Sequence, residues 1–449
     1  MKDTLQIAID GPVASGSSTT AAQLAEDLGI TFFNTGAMYR ALTLACLRQG
    51  VRPHEVRRVL EVLQKATITV EQPSHANGRM FIVRLNSEDV TPFIHAPGVS
   101  QAVPKIAAIP EVREVMVARQ QAFVKGKSVV MEGRDIGLRV LPQADLKIYL
   151  TATLEERARR RLVQYQKKGI EKTLEEVLAD IKDRDEQDMS RATDPLQKLP
   201  DAWELDTTNM NQEQVVETIK MELLLRLSQP GVSLIHLEER ATILIARSGG
   251  TPSFRTVPGY EWATCLCVNE QVVHGIPTAY KLKDGDILTI DIGMVYKGLH
   301  TDTAWTKIVG SGNKEKEQFL NVGEQTLWKA IDQANMGNRI GDISQTIQTM
   351  IEMAGYSVVT ALTGHGVGRQ LHEAPQVPGI LKGPPDSTPE LVDGETLAIE
   401  VIYAQGHGDI VYGNDDGWTL ATRDRSLSAV FEHTIAIGQK GPIILTKGE

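Results

Sequence analysis

The stretch "GPVASGSSTT", Gly11 to Thr20, decides the fold of the N-terminal half. The apolar side chains before it, Leu5, Ile7 and Ile9, are typical of a buried strand, and residues 17–28 after it are typical of a helix. A Gly-rich turn between a strand and a helix offers backbone N–H groups and a positive helix N-terminus to an anion. The stretch therefore predicts a phosphate-binding loop.

This loop departs from the usual pattern at one position. In Gly-x-x-x-x-Gly-Lys-[Ser/Thr] the lysine follows the second glycine, and here Ser17 stands in that place. Backbone N–H groups bind phosphate without the lysine, so a nucleotide site is still expected; the alternative is a plain strand-to-helix connection. The predicted contacts to ATP phosphates are Gly11, Ser15, Gly16, Ser17, Ser18 and Thr19.

The rest of the first half alternates strand-like and helix-like segments. Residues 128–131 and 146–151 are apolar and strand-like, whereas 154–168 and 173–187 are charged and helix-like. This alternation predicts a parallel sheet covered by helices on both faces. Residues 66–91 predict short antiparallel strands around an Asn77-Gly78 turn, inserted into that α/β domain.

The bulk properties limit the function classes. A chain of 449 residues is long enough for two or three domains, and its 41% hydrophobic and 23% charged residues are typical of a soluble globular protein. A formal charge of −10 gives no support for nucleic-acid binding. Three cysteines, an odd number, favour a reducing compartment, so we expect a cytoplasmic protein; no segment resembles a signal peptide or a membrane span.

Five arginine-rich motifs follow the loop in a fixed order. They are "NTGAMYR" (34–40), "VREVMVARQQAF" (112–123), "MEGRDIG" (131–137), "ERARRR" (156–161) and "RDEQDMSRATDPL" (184–196). Together with the loop they resemble bacterial cytidylate kinases over about residues 3–225. The resemblance implies a P-loop nucleoside monophosphate kinase fold, with a nucleotide-monophosphate-binding insert at about 66–100 and a lid at about 157–170. It also implies ATP with Mg²⁺ as donor and CMP or dCMP as acceptor.

The resemblance assigns roles to individual residues. Arg113 and Asp135 would recognise the base, Arg184 and Asp188 would hold the sugar, and Arg134 and Arg184 would act in catalysis. The full set expected to contact CMP or the transferred phosphoryl group is Thr35, Arg40, Arg113, Arg134, Asp135, Arg184, Asp188 and Arg191.

Three positions depart from the kinase pattern: Ser17 replaces lysine, Asn34 replaces aspartate, and Pro104 replaces a common serine. Loss of the loop lysine removes one positive charge from the β- and γ-phosphates, which lid arginines and Mg²⁺ can offset. Two interpretations stay open for this half, an active kinase and a non-catalytic nucleotide-binding or scaffold module.

The second half contains a long hairpin, "GDILTIDIGMVYKGLHTDTAWTKIV" (285–309), followed by two helices near 314–355. A two-residue turn at Lys297-Gly298 would place Asp291 and Asp302 on one face, diagonally across the strand pair. Diagonal Cβ separations of roughly 7–8 Å let two carboxylates flank a pair of cations about 3.5–4 Å apart. Asp291 also interrupts an apolar run, where an unpaired carboxylate is costly to bury.

Two more acids repeat this pattern, Glu400 in "LAIEVIY" and Glu432 in "VFEHTIAI". With His365 they complete a set of four carboxylates and one imidazole, which would repel one another without cations and would balance two divalent ions. The sequence therefore predicts a binuclear metal site. Its ligand types suit Mn, Fe, Co and Zn alike.

Motifs from about residue 229 to the end, including "CVNEQVVHGIP" (267–277) and "TGHGVGRQLHEAP" (363–375), resemble type I methionine aminopeptidases. The resemblance implies the α+β pita-bread fold and hydrolytic removal of an N-terminal methionine from peptides, nascent chains at the ribosome included. It makes Asp291, Asp302, His365, Glu400 and Glu432 the ligands of two divalent metals, with Asp302 and Glu432 bridging.

The same resemblance names the other peptidase residues. Glu400 would be the general base, and His274 and His372 would position the peptide and stabilise the tetrahedral intermediate. The methionine pocket would be formed by Tyr260, Cys265, Leu371 and Trp418. Leu371 replaces a family aromatic and Val401 a common proline. The alternative is a non-catalytic peptide-binding domain.

We expect a bifunctional enzyme with domains 1–228 and 229–449, joined at "LSQPGVSL" (227–234). Pro230-Gly231 would end the helix that begins near residue 212. The peptidase family usually has a further helix and strand before this point. The apolar coverage of helix 212–228 is wider than one buried face needs, so this helix is expected to substitute for the missing one. The alternative is a helix of the kinase half alone, beside a peptidase that tolerates the truncation.

Overall fold

The computed structural model describes residues 4–71, 80–167 and 169–446. They divide into two compact units, one ending at Val216 and the other beginning at residue 217. The domain boundary expected after residue 228 stays a prediction. In the described ranges, no helix is both long enough and apolar enough to cross a bilayer.

The first unit is built around a parallel sheet. The strands of the first unit are β1 (Gln6–Asp10), β2 (Thr31–Asn34), β3 (Ile68–Glu71), β4 (Ile82–Leu85), β5 (Glu88–Asp89), β6 (Val129–Gly133), β7 (Leu146–Thr151) and β8 (Trp203–Asp206). Its helices are α1 (Ser17–Leu28), α2 (Thr35–Arg48), α3 (Val56–Lys65), α4 (Pro97–Ala107), α5 (Pro110–Val124), α6 (Leu154–Lys167), α7 (Leu174–Met189) and the start of α8 (Gln212–Leu227).

Five of these strands form one sheet in the order β2-β6-β1-β7-β8, and every neighbouring pair is parallel. The central strands are almost wholly buried, as their apolar composition predicts. The predicted parallel sheet is confirmed. The loop that follows β1 lies at the carboxyl edge of the sheet, because all the strands are parallel and the loop begins where β1 ends. Ligands of α/β proteins bind at this edge.

The expected antiparallel insert is also present, as the sheet β3-β4-β5. The Asn77-Gly78 turn lies outside the described residues. A second turn joins β4 to β5 through Asn86 and Ser87, whose φ angles are 48° and 72°. Two consecutive positive φ values are typical of the tight turns that join antiparallel strands.

The second unit contains the rest of α8 with α9 (Leu234–Arg247), α10 (Lys314–Asp332) and α11 (Ile340–Met353). Its strands are β9 (Thr251–Pro252), β10 (Thr264–Val268), β11 (Gln271–Val273), β12 (Ile287–Tyr296), β13 (Leu299–Ile308), β14 (Ser357–Val358), β15 (Thr363–Gly366), β16 (Glu373–Pro378), β17 (Thr396–Ala404), β18 (Ile410–Tyr412), β19 (Leu420–Thr422), β20 (Ser428–Gly438) and β21 (Gly441–Ile444).

These strands form antiparallel sheets. The two larger ones follow the orders β10-β12-β13, with β9 on β12, and β16-β15-β17-β20-β21, with β14 on β17. Threonine hydroxyls join β13 of one sheet to β20 of the other. Thr303 donates to the carbonyl of Glu432 at 2.9 Å, and Thr306 donates to the carbonyl of Val430 at 2.6 Å. The two sheets therefore meet at strands that carry predicted metal ligands.

Helix α10 packs on the β17–β20 pair, and helix α11 packs on α10, β14 and β16. Phe319, Leu327, Val401 and Phe431 belong to this core and are at most 1% exposed. Burial of a large apolar side chain stabilises a fold by about 1.5–3 kcal/mol. Gly323 lets the Tyr403 ring pack closely, because a Cβ at residue 323 would lie 2.5 Å from that ring. The packing holds the strands that present the site.

Two candidate active sites

The phosphate loop, residues 11–16, joins the end of β1 to the start of α1. A Cβ at Gly11 would lie 2.2 Å from the carbonyl oxygen of Leu150, and Gly16 has a φ of 99°. Both positions therefore need glycine. The Ser15 hydroxyl is buried and has no hydrogen-bond partner among the described residues. A buried donor without a partner at a helix N-terminus fits an anionic ligand.

Ser17, which stands where lysine is usual, contacts a carboxylate. Its hydroxyl donates to Glu132 Oε2 at 3.2 Å, and the Ser18 hydroxyl donates to Glu132 Oε1 at 2.8 Å. The Asn34 amide donates to the same Glu132 oxygen as Ser18. Two of the three departures from the kinase pattern, Ser17 and Asn34, thus share one partner. Sequence reasoning gave Glu132 no role, although an acid that ends an apolar strand was a signal.

Two arginines of α6 donate hydrogen bonds to backbone carbonyls of the phosphate loop. Arg157 is buried, pairs with Asp185 and donates to the Val13 carbonyl at 3.1 Å. Arg160 donates to the Ser15 carbonyl at 3.2 Å. These contacts fix the loop backbone, while the lid expected at about 157–170 stays a prediction.

A cluster of cations surrounds Asp188 of α7. Arg134 and Arg184 place Nε atoms 3.0 and 3.4 Å from Asp188 Oδ2. Burial, and then the neighbouring charges of Arg184, Arg161 and Arg134, lower the pKa of Arg40 to about 10. Guanidinium groups that lower one another's pKa in this way would be stabilised by the negative charge of a phosphate group.

A second group of predicted CMP contacts lies around Asp194. Arg113 is buried, pairs with Asp135, and donates from Nε to Asp194 Oδ2 at 3.0 Å. Arg191 donates to the Asp194 carbonyl at 2.6 Å, and its buried Nε has no hydrogen-bond partner among the described residues. The charges of Arg113, Asp188 and Asp135 all act on Arg191, so the two groups adjoin.

Thr35, another of the eight predicted CMP residues, donates its hydroxyl to the Glu132 carbonyl at 3.0 Å. The sequence gave no role to Asp194 or to Asp10. Asp10 accepts hydrogen bonds from the backbone of Ile136 and Gly137, each at 2.8 Å, and thereby fixes the turn after Arg134 and Asp135. Burial raises the pKa of Asp10 to about 7.

In the second unit, the predicted hairpin register is confirmed. Lys297 and Gly298 form the turn with φ angles of 50° and 82°. Asp302 lies opposite Gly293, and Asp291 lies opposite Ala304. The two aspartates are therefore diagonal neighbours on one face of the hairpin, as a period of two requires.

The other three predicted ligands come from the second large sheet. Glu400 lies directly opposite Glu432, and His365 lies opposite Ala398. His365 Nε2 is 3.5 Å from Glu400 Oε1 and 3.8 Å from Asp302 Oδ2. His365 Nδ1 donates to the Gly366 carbonyl at 2.8 Å, so the Nε2 lone pair faces the carboxylates.

Three of these buried carboxylates each have an oxygen without a hydrogen-bond partner among the described residues. Asp291 Oδ1, Asp302 Oδ1 and Glu432 Oε1 are buried and accept no hydrogen bond from the described residues. Burial, and then the charge of Glu400, raises the pKa of Asp291 to about 8. Ligand atoms of Asp302, His365 and Glu432 lie within 4.8 Å of one another. The donor set and the orphaned oxygens fit divalent cations, which would neutralise the repulsion.

A cavity of about 610 Å³ opens beside the acids, and all five predicted ligands line it. The predicted pocket residues Tyr260, Cys265, Leu371 and Trp418 line the same cavity. The Tyr260 and Trp418 rings meet edge to face at 5.1 Å, and the Tyr260 hydroxyl donates to Cys265 Sγ at 3.3 Å. This wall is apolar and contains a thiol, which suits a thioether side chain.

Both predicted catalytic histidines line the cavity. His372 packs its ring 4.5 Å from that of His365, and His274 lies 6.4 Å from Trp418 with a φ of 57°. Partial burial lowers the pKa of each. Neutral imidazoles can each donate one hydrogen bond and accept another.

Each half of the chain is similar to a different family of known proteins. Residues 7–224 match the family described as cytidylate kinase, and residues 211–439 match metallopeptidase family M24. A cytidylate kinase of Caldanaerobacter subterraneus is 47% identical over 48% of this chain and 93% of its own length. A methionine aminopeptidase of Clostridium perfringens is 42% identical over 50% of this chain and 90% of its own length.

Among solved structures, a methionine aminopeptidase of Thermotoga maritima matches with a TM-score of 0.50 and 40% identity. The match covers 51% of this chain and 92% of that one. The second unit therefore has the expected pita-bread fold, and the first has the α/β fold with a parallel sheet.

Proposed function

The chain belongs to the cytidylate kinase family through its N-terminal half and to metallopeptidase family M24 through its C-terminal half, and from this premise we propose its two reactions. The N-terminal half transfers a phosphoryl group from ATP to CMP or dCMP. The C-terminal half hydrolyses the bond after an N-terminal methionine. One chain is therefore a kinase and a metallo-aminopeptidase.

The arginine cluster around Asp188 carries the kinase proposal. Phosphoryl transfer depends on positioning and on charge neutralisation, and Arg40, Arg134 and Arg184 supply three positive charges at one place. The loop backbone would hold the ATP phosphates, assisted by the Ser15 hydroxyl. Mg²⁺ bound with ATP would neutralise part of the phosphate charge, and the Ser18 hydroxyl is a candidate ligand for it.

The acceptor nucleotide would lie between the two groups of charged residues. Arg113 and Asp135 form an ion pair, and a base with donors and acceptors could exchange partners with both side chains. Arg191 Nε, buried and lacking a hydrogen-bond partner among the described residues, is a donor that a bound nucleotide would satisfy. Arg184 and Asp188 would hold the ribose hydroxyls.

The orphaned carboxylates carry the peptidase proposal. Two divalent cations would be held by Asp291, Asp302, His365, Glu400 and Glu432, and they would supply Lewis acidity toward the scissile carbonyl. We assign no particular metal, because carboxylate and imidazole ligands suit several.

The chain's own groups would move the protons. Glu400 takes a proton from the attacking water as the new C–O bond forms, and returns it to the amine nitrogen as the C–N bond breaks. His274 and His372, neutral at pH 7, donate hydrogen bonds to the peptide and to the oxyanion. Tyr260, Cys265, Leu371 and Trp418 enclose the methionine side chain.

A second candidate function for the N-terminal half is nucleotide binding without catalysis. One observation favours it: the residue in the lysine position, Ser17, supplies no positive charge and donates its hydroxyl to the Glu132 carboxylate. The arginine cluster favours catalysis, because binding alone does not need several charges at the transferred group.

Two assays on the full chain test the proposal. ATP-dependent formation of CDP from CMP, with Arg134→Ala as the inactive comparison, tests the kinase. Release of methionine from a Met-Ala peptide with added divalent metal tests the peptidase. Absence of CDP formation together with measurable CMP binding would favour the non-catalytic alternative.

The remaining partners follow from these reactions. We propose N-terminal methionine peptides, including nascent chains, as substrates in the cytoplasm. All three cysteines are free and buried, which agrees with a reducing compartment.

A further inference from the structure

We propose that Glu238 is a positioning residue for methionine selectivity, because its buried carboxylate holds the wall of the pocket formed by Tyr260 and Cys265. This inference rests on the proposed peptidase function. Glu238 belongs to α9 and touches neither the metal ligands nor the cavity. Its carboxylate nonetheless accepts hydrogen bonds from five donors.

The carboxylate fastens the chain where β10 begins. Glu238 Oε1 accepts a hydrogen bond from the Ala263 N–H at 2.7 Å. Glu238 Oε2 accepts from the Thr264 N–H at 3.0 Å and from the Thr264 hydroxyl at 2.7 Å. With the residue only 5% exposed, water does not replace these bonds easily.

The same short segment carries the pocket wall. The Tyr260 hydroxyl donates to the Thr264 carbonyl at 2.9 Å and to Cys265 Sγ at 3.3 Å. Cys265 follows Thr264 directly and pairs with Asp291 across the sheet. A movement of Ala263 and Thr264 would therefore move both wall residues, whereas the metal ligands are held by other strands as well.

Only an acceptor suits this position. Five donors face the Glu238 carboxylate: the three from Ala263 and Thr264, the Thr242 hydroxyl at 3.2 Å and the Arg255 guanidinium at 3.4 Å. Glutamine has the same shape but would turn an NH₂ group toward one set of donors. Glu238→Gln should therefore release one side of the anchor without leaving a cavity.

A loosened wall should weaken the fit of the methionine side chain more than it affects the chemistry. Differences of about one methylene in an apolar pocket change selectivity by roughly 10–200-fold. We expect the ratio of kcat/KM for peptides beginning with methionine to that for peptides beginning with leucine to fall about tenfold in Glu238→Gln. The change should appear mainly in KM.

The experiment compares full-length wild type, Glu238→Gln, Thr264→Val and Glu239→Gln. Thr264→Val removes one donor and should shift selectivity in the same direction by a smaller factor. Glu239 is the exposed neighbour on the same helix, so Glu239→Gln is the matched control and should resemble wild type. Metal content and thermal stability are measured for every variant.

Binding of methioninamide, followed by calorimetry on the metal-loaded proteins, gives a readout that needs no turnover. Glu238→Gln should bind it at least fivefold more weakly than wild type. A Glu238→Gln protein with lower thermal stability but unchanged KM, selectivity and methioninamide affinity would overturn the proposal and leave Glu238 a merely structural residue. Wild type that binds methioninamide but releases no methionine would instead contradict the proposed peptidase function.

Discussion

Glu400 on β17 lies directly opposite Glu432 on β20, and burial raises the pKa of both carboxyls well above the ordinary range. For Glu400 the second cause is the charge of Asp302. Two acids held face to face in this way need a cation or a proton between them. Their separate roles can be distinguished by substitution.

Glu400→Gln should cut methionine release by roughly 10²–10⁴, the usual loss when a general acid–base group is removed. Most of the metal should stay bound, because four of the five proposed ligands remain. The measurement is kcat on a Met-Ala peptide together with metal content by mass spectrometry. Full activity in a variant that retains its metal would show that another group moves the proton.

Chelation should abolish methionine release, and added divalent ions should restore it. The orphaned oxygens of Asp291, Asp302 and Glu432 make the metal-free site unfavourable, so chelation should also lower the unfolding temperature of the peptidase half. Differential scanning calorimetry with and without chelator measures the shift. CDP formation, assayed with Mg²⁺ after the chelator is removed, is the internal control and should be unaffected.

Ser17→Lys should raise the rate of CDP formation. Removal of one preorganised donor to a transition state commonly costs about 10²–10³ in kcat, and we expect a smaller gain, on the order of tenfold, because Glu132 would neutralise part of the new charge. Ser17→Ala, which removes the hydrogen bond and adds no charge, is the matched control. Equal rates in Ser17→Lys and Ser17→Ala would show that the loop charge does not limit this enzyme.

Asp10 should make the stability of the first unit depend on pH. Burial raises its pKa from 3.8 to about 7, so the folded state binds more protons than the unfolded state between these values. Stability should therefore fall as pH rises through that window, by at most about 1.4 kcal/mol per pH unit from this group. Asp10→Asn cannot ionise and should lack this fall.

Hydrogen exchange of β1 amides between pH 4.5 and 8 measures that difference. The exchange rates must first be corrected for the intrinsic effect of pH. Asp145→Asn is a suitable control, because Asp145 also accepts a backbone hydrogen bond at β1, from Gln6. Parallel pH dependence in wild type and Asp10→Asn would contradict the assignment.

The last turns of α8 should be needed by the peptidase. Lys307 of β13 donates to the Leu225 carbonyl at 2.7 Å, and Lys220 hydrogen-bonds Ser248. The M24 match also begins upstream of the expected boundary, at residue 211. Residues 229–449 expressed alone should be insoluble or inactive, and residues 210–449 should recover activity. Equal stability and activity of the two fragments would show that the helix is dispensable.

Local patterns were sufficient to predict much of the architecture. The hairpin register followed from the Lys297-Gly298 turn, because a period of two then fixes every opposite pair. The parallel sheet followed from alternating strands and helices. The hairpin information lies within residues 285–309, whereas the sheet prediction needed only the type and order of successive elements.

The residues that sequence reasoning missed act across long chain separations. Glu132 meets Ser17 across 115 positions, and Asp10 meets Ile136 across 126. The sequence pattern did not indicate a role for Glu238 either, since a single acid on an amphipathic helix ordinarily lies in solvent. Such contacts depend on how elements pack, which no local pattern specifies.

The threonine hydroxyls that join β13 to β20 have one more consequence. Thr303, Thr306 and Thr434 carry no charge and do not titrate in any range where the protein is folded. The hydrogen bonds between the two sheets therefore do not depend on pH, although the carboxylates on the same strands change charge when metal ions bind or leave. Loading and unloading of the centre can proceed on a support that keeps its shape.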